Sequence, residues 1–292
     1  STWYPIRRGV LARTVGHVQA VTGVSLLLHE GETLGLVGES GCGKSTLGRT
    51  LVGLETPRAG EMRFRGRPLA GRERSLEERR AIQMVFQDPV AALNPRLTVQ
   101  DLLTEGLAYH GLLTGSPAAA ARELLADVGL DDSALHRYPH EFSGGQRQRI
   151  NIARALSLRP ALLVCDEAVS ALDVSVQAQV LNLLMDLKEK YRLSYLFISH
   201  DLGVVRFISD RIAVMYLGRV VEEGPAEQVM DAPRHPYTQA LVSAVPVPGQ
   251  SRAARQVLSG ELPSPARPPA GCPFHPRCPK VRAECRTQWP EE

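Results

Sequence analysis

Short apolar runs rich in Val, Ile and Leu, bounded by Gly or polar residues, recur between residues 33 and 216 with helix-length stretches between them. A strand covered on both faces loses the in-out alternation of a half-exposed one, so this rhythm describes a buried, mostly parallel sheet and the fold class is α/β. Five strands are predicted: Thr33 to Val37, Ile82 to Phe86, Leu162 to Asp166, Tyr195 to Ser199 and Arg211 to Tyr216. The second, third and fourth lead to polar residues at their carboxyl ends, where ligands bind in open α/β sheets. From Asp88 to about Ser157 the spacing becomes helical. Leu102, Leu103 and Leu107 mark one helix, an Ala-rich stretch from Pro117 to Val128 a second, and a long run after Gly144 a third. A short antiparallel pair is expected around Gly218 and Gly224, then a helix near Ala226 to Met230. The expected organisation is a first core part at 1–87, a helical insertion at 88–157, the rest of the core at 158–245, and an irregular tail at 246–292.

Composition narrows the class. The chain has 292 residues, 43% hydrophobic and 22% charged, enough for one large core or two modest ones. No window reaches the run of about 18 apolar residues that a bilayer span needs, and no secretory signal pattern opens the sequence, so a cytoplasmic location is expected. A net charge of +3 argues against a strong phosphate-backbone binder, and no nucleic-acid partner is expected. Ten of the 21 prolines lie from Pro246 onward, which favours an extended tail held by something other than its own core. Of the five cysteines, Cys42 and Cys165 stand apart, whereas Cys272, Cys278 and Cys285 share one short segment of that tail. In a reducing compartment such a cluster suggests a metal before disulfides.

Gly38-Glu39-Ser40-Gly41-Cys42-Gly43-Lys44-Ser45-Thr46 follows the first predicted strand directly and fits the phosphate-binding loop pattern. Glycines let the backbone approach phosphate oxygens, successive N–H groups and a helix N-terminus supply positive potential, Lys44 reaches the β and γ phosphates, and Ser45 can ligate Mg2+. ATP with Mg2+ is the expected ligand. Asp166 and Glu167 end the third predicted strand as adjacent carboxylates with separable tasks. Asp166 suits Mg2+ held through water, and Glu167, one residue further out, suits polarisation of an attacking water. Phe142-Ser143-Gly144-Gly145-Gln146 precedes a helical run; a Ser and two glycines there make a second anion site or a plain helix cap.

With this last motif the chain resembles the ABC ATPases, with Phe142 where their signature sequence more often has Leu and Ala168 where many carry Pro after the base. The resemblance implies an ATP-hydrolysing P-loop core in which Ser143, Gly144, Gly145 and Gln146 act on ATP held by a partner subunit. It also implies Q-loop roles for Gln87 with Mg2+ and water, a D-loop at Asp173, and a switch histidine at His200 touching the γ-phosphate. Tyr4 resembles the adenine-stacking aromatic, although Tyr4 or its neighbour Trp3 could instead pack locally.

His235 to Leu241, Leu258 to Pro265 and the Cys-containing tail resemble the ATPases of bacterial oligopeptide and dipeptide importers, a branch shared with nickel importers. The partners implied are a second ABC ATPase subunit, expected to be a different chain, two transmembrane permease subunits, and an extracytoplasmic solute-binding protein reached through the complex. The protein would sit peripherally on the cytoplasmic face of the bacterial inner membrane. A nickel or other small-solute importer of the same branch is the main alternative. A non-transport ABC ATPase acting on nucleic acid fits less well, because about 55 residues between Gln87 and Ser143 leave no room for long coiled coils. Relatives imply a [4Fe-4S] cluster on Cys272, Cys278 and Cys285, with a fourth ligand that is not Cys or lies beyond Glu292; a zinc site adding His275 and free structural thiols remain the alternatives.

Overall fold

The structure, a computed structural model, describes residues 1–9, 12–69, 71, 73–245, 258 and 260–289. The proline-rich stretch that opens the expected tail, 246–257, and Ser259 lie outside the described residues. In chain order the elements are β1 (Thr2–Arg8), β2 (Arg13–Val21), β3 (Thr33–Val37), α1 (Lys44–Leu51), β4 (Arg63–Phe64), β5 (Arg67–Pro68), α2 (Leu76–Ala81), β6 (Ile82–Val85), α3 (Pro89–Ala92) and α4 (Val99–Tyr109). They continue with α5 (Pro117–Asp127), α6 (Gly144–Leu156), β7 (Leu162–Asp166), α7 (Val174–Tyr191), β8 (Ser194–Ile198), α8 (Leu202–Ile208), β9 (Arg211–Tyr216), β10 (Arg219–Pro225), α9 (Ala226–Asp231) and α10 (Pro236–Ala244). These residues gather into two compact units.

The first unit holds the described residues within 1–27, 34–72 and 199–292. Here β3 runs parallel to β9, with Leu34 opposite Arg211 and Val37 opposite Val214, and β10 returns antiparallel along β9. Every residue of β3 is buried, as is β9 beyond Arg211, which is why neither alternates in sequence. Gly35 is required by packing: a Cβ there would lie 2.3 Å from Val205 Cγ1 and 2.4 Å from Ser209 Oγ. The antiparallel pair β1 and β2, with Tyr4 opposite Val18, is absent from the sequence expectations. Its burial pattern shows no regular in-out alternation, and a register shift after Thr2 interrupts the period that pattern reading relies on.

The second unit holds residues 28–33 and 73–198. Strands β6, β7 and β8 are parallel neighbours in that order, with Val164 opposite both Met84 and Leu196. Helices α4, α5 and α6 pack on one another, burying Val99, Leu102, Leu103, Ala121, Leu125, Ile150 and Ile152. Their starts are written in the sequence: Thr98 and Ser143 form capping boxes, and Ser116 caps α5 ahead of Pro117. Two predicted strands shift by a residue, since β6 stops at Val85 and β8 begins at Ser194. Among the described residues no helix is long and apolar enough to cross a membrane.

Candidate functional site

In the first unit the loop from Gly38 to Gly43 turns from the end of β3 into α1. Gly38 and Gly43 have φ of 153° and 107°, and a Cβ on either would come within 2.1 Å of a main-chain carbonyl oxygen, of Met215 and Ala20 respectively. Only glycine fits there. The Lys44 ammonium, on a residue 4% exposed, donates to the carbonyls of Gly38 at 2.7 Å and Glu39 at 3.1 Å, so the loop's own oxygens hold it in place. Three further contacts brace the loop. The Glu39 N–H donates to the Tyr237 hydroxyl at 2.8 Å, the Gly218 N–H to the Cys42 carbonyl at 2.8 Å, and Arg277 grips the Glu39 carboxylate with two hydrogen bonds. Cys42 is buried, and burial raises its thiol pKa. Ser40 and Gly41 are exposed, and Ser45 and Thr46 are half-buried at the start of α1.

Tyr4 is half-buried on β1; burial is the main cause that raises its hydroxyl pKa, with Thr46 and Glu55 as hydrogen-bonding neighbours. Trp3 packs locally, donating from Nε1 to Thr22 at 3.0 Å under the Arg58 guanidinium. His200 is exposed on the turn into α8, whose N-terminus Asp201 caps through the N–H groups of Gly203 and Val204.

The second unit carries the carboxylates and the serine-glycine motif. Asp166 is 2% exposed at the end of β7, behind Cys165, whose thiol burial pushes up to about 12. Glu167 takes a left-handed conformation at φ 48°, a cost of about 1 kcal/mol for a residue with a Cβ, held by its N–H to the Ile198 carbonyl at 3.0 Å and by Ser170 on its own carbonyl. Gln87 Nε2 donates to Glu167 Oε2 at 2.9 Å. Two residues 80 apart in the chain are thereby paired.

Ser143 caps α6 through Gln146, the Gln146 N–H reaching Ser143 Oγ at 3.3 Å and the Ser143 N–H reaching Gln146 Oε1 at 3.0 Å. Ser143, Gly144 and Gln146 are exposed, whereas a Cβ on Gly145 would meet Val176 Cγ1 at 2.4 Å. Phe142 is buried beneath the Arg137 guanidinium, 4.2 Å from the ring centre. Asp173 is exposed at the start of α7 and makes no side-chain cap. A cavity of about 190 Å3 is lined by Gln87, Gly144, Arg147, Gln148, Ala168 and Leu172 among others. Gln148, 1% exposed, has no hydrogen-bond partner for either amide atom among the described residues.

This set of parts is matched from outside. The description "ABC transporter" fits residues 21–170 and "Oligopeptide/dipeptide transporter, C-terminal region" fits residues 221–285. The oligopeptide transport ATP-binding protein AppF of Bacillus subtilis is 55% identical over 99% of this chain and 90% of its own length. The chain belongs to the ABC transporter family. OppF of Escherichia coli, also an oligopeptide transport ATP-binding protein, is 52% identical over 92% of this chain and 82% of its own. A dimeric ATP-binding cassette solved in a post-hydrolysis state with ADP and Pi superposes with a TM-score of 0.66 at 28% identity, covering 77% of this chain and 96% of that one. As an ABC cassette the chain is an ATP-hydrolysing subunit, and the α/β expectation holds.

The tail cysteines are placed as follows. Burial, then the neighbouring Cys285 and Cys278, raise the Cys272 thiol pKa, yet among the described residues no three or more His, Cys, Asp or Glu side chains converge to hold a metal ion. His275 Nδ1 lies 2.9 Å from the Cys272 carbonyl, and all three tail cysteines are free. The residues as placed fit neither an iron-sulfur cluster nor zinc. Packing and an ion pair hold the tail: Phe274, fully buried, lies edge-on to Tyr216 with centroids 5.2 Å apart and tilted to Tyr237 at 5.5 Å, beside the Arg277 pairing with Glu39. Sequence reasoning passed over Tyr237 and Arg277 as parts of the site. The one available signal was a tyrosine on a short helix whose hydroxyl, once buried, needs a partner.

Proposed function

We propose that this subunit binds MgATP and hydrolyses it to power import of dipeptides or oligopeptides. Support for the peptide class comes from the C-terminal region match at residues 221–285 and from the names of its relatives. The hydrogen bond between Gln87 and Glu167 is the observation that carries the chemistry, since it aims one carboxylate oxygen and leaves Glu167 the task of drawing a proton from water. Residues 38–46 cradle the phosphates, with Lys44 turning from the loop carbonyls to β and γ oxygens. Ser45, Gln87 and Asp166 offer the hard oxygen donors that Mg2+ prefers, and the ion, when bound, offsets charge on those phosphates. Tyr4 stacks on adenine, and His200 contacts the γ-phosphate.

The exposed Ser143, Gly144 and Gln146, with Gly145, act on ATP held by a second ABC subunit, and Asp173 serves as the D-loop residue. Residues 88–157 form the helical subdomain that, with Gln87, answers to two permease subunits, and a solute-binding protein delivers the peptide. The subunit works peripherally at the cytoplasmic face of the membrane. A [4Fe-4S] cluster rests on resemblance alone and carries no step here. The deciding experiment is peptide uptake with the assembled transporter: ATP hydrolysis stimulated by a peptide-loaded binding protein is expected, and stimulation by nickel alone would sink the peptide assignment.

A further inference from the structure

Arg277 comes from the C-terminal tail and Glu39 from the loop that follows β3, 238 positions apart in sequence. Arg277 Nη1 donates to Glu39 Oε2 at 2.7 Å and Nη2 to Oε1 at 3.0 Å, a two-pronged pairing of planar groups. The side chains are 6% and 29% exposed, so solvent screens this pair far less than a surface one. The guanidinium also lies 5.9 Å from the centre of the Tyr216 ring, and the turn that carries it is anchored three residues earlier by Phe274 between Tyr216 and Tyr237. Tyr237 in turn accepts the Glu39 N–H.

Glu39 poses an electrostatic problem. Its carboxylate belongs to the loop that must receive several phosphate charges, and an unpaired anion there repels them. We propose that Arg277 is a positioning residue for the nucleotide loop: it neutralises Glu39 and fixes that end of the loop, so the tail sets the affinity for the triphosphate. The inference rests on residues 38–46 being the nucleotide loop.

The test uses the full chain, titrated calorimetrically with MgATP, with a thermal melt of each variant. Arg277→Met is expected to bind about tenfold more weakly, within the range that coupled neighbours show, because it leaves Glu39 unpaired. Arg277→Lys, which keeps charge but loses the fork, should fall between. Adding Glu39→Gln to Arg277→Met removes the repelling charge and should recover more than about threefold of the loss, a rescue that a merely structural role for Arg277 would not produce. Wild-type affinity in Arg277→Met, or recovery of threefold or less in the double variant, overturns the proposal. If Arg277→Met does not fold, Arg277→Gln, which also leaves the Glu39 carboxylate without a cation, is judged with and without Glu39→Gln by the same criterion. Lys44→Ala separates the two readings: unchanged affinity in that variant means that the nucleotide loop itself is misassigned.

Discussion

At the scale of single residues, the pairing of Gln87 with Glu167 and the left-handed backbone of Glu167 say that this carboxylate is held in place against local preference. Glu167→Gln removes the base and keeps the phosphate contacts. Hydrolysis in the assembled transporter is expected to slow about 10²- to 10⁴-fold while MgATP affinity stays near wild type, as read by a phosphate-release assay beside a binding titration. Near-normal turnover would take the role away from Glu167. Lys44→Ala should do the reverse and weaken MgATP binding about 10- to 100-fold, since a charge-assisted hydrogen bond contributes roughly 1.5 to 3 kcal/mol. The same change leaves the Gly38 and Glu39 carbonyls without their ammonium partner, so some loss of loop order accompanies it.

Elements add constraints that side-chain chemistry alone does not reveal. Ser143 is both a helix cap and the proposed contact to a partner's nucleotide, and two substitutions separate these roles. Ser143→Ala loses the cap of α6 and should lower stability by about 1 kcal/mol in urea melts. Ser143→Asp keeps a capping oxygen but sets a negative charge against the phosphates; stability near wild type with hydrolysis lost in the complex is expected. If Ser143→Asp hydrolyses ATP normally, the motif is only a cap. In the first unit, Gly35→Ala drives a methyl into Val205 of α8 and Ser209 just after it, and should destabilise by about 1 to 3 kcal/mol with no direct effect on chemistry.

For the whole molecule, the proposed division of labour is that one chain supplies a phosphate loop and a second chain the serine-glycine motif. Mixing Lys44→Ala chains with Ser143→Arg chains, each inactive alone, should restore part of the ATPase activity if the subunit pairs with itself; with an obligate different partner, activity returns only when that partner is added. Full-rate hydrolysis by a strictly monomeric chain would contradict sharing. The sequence by itself determined the loop at 38–46, the carboxylates at the end of β7, the capped start of α6 and most of the buried strands. These are local: glycine, a strand and a helix start, or a capping box, are encoded within about ten residues and need no distant partner. Only the tertiary structure decided the pairing of Gln87 with Glu167, the crowding that forces glycine at 35 and 145, and the bracing of Glu39 by Tyr237 and Arg277. It also showed an aromatic cluster around Phe274 packing the tail, a contact that cysteine spacing does not encode. Spacing along a chain says which side chains are available, but convergence of groups far apart in sequence depends on packing against surfaces that no local pattern encodes.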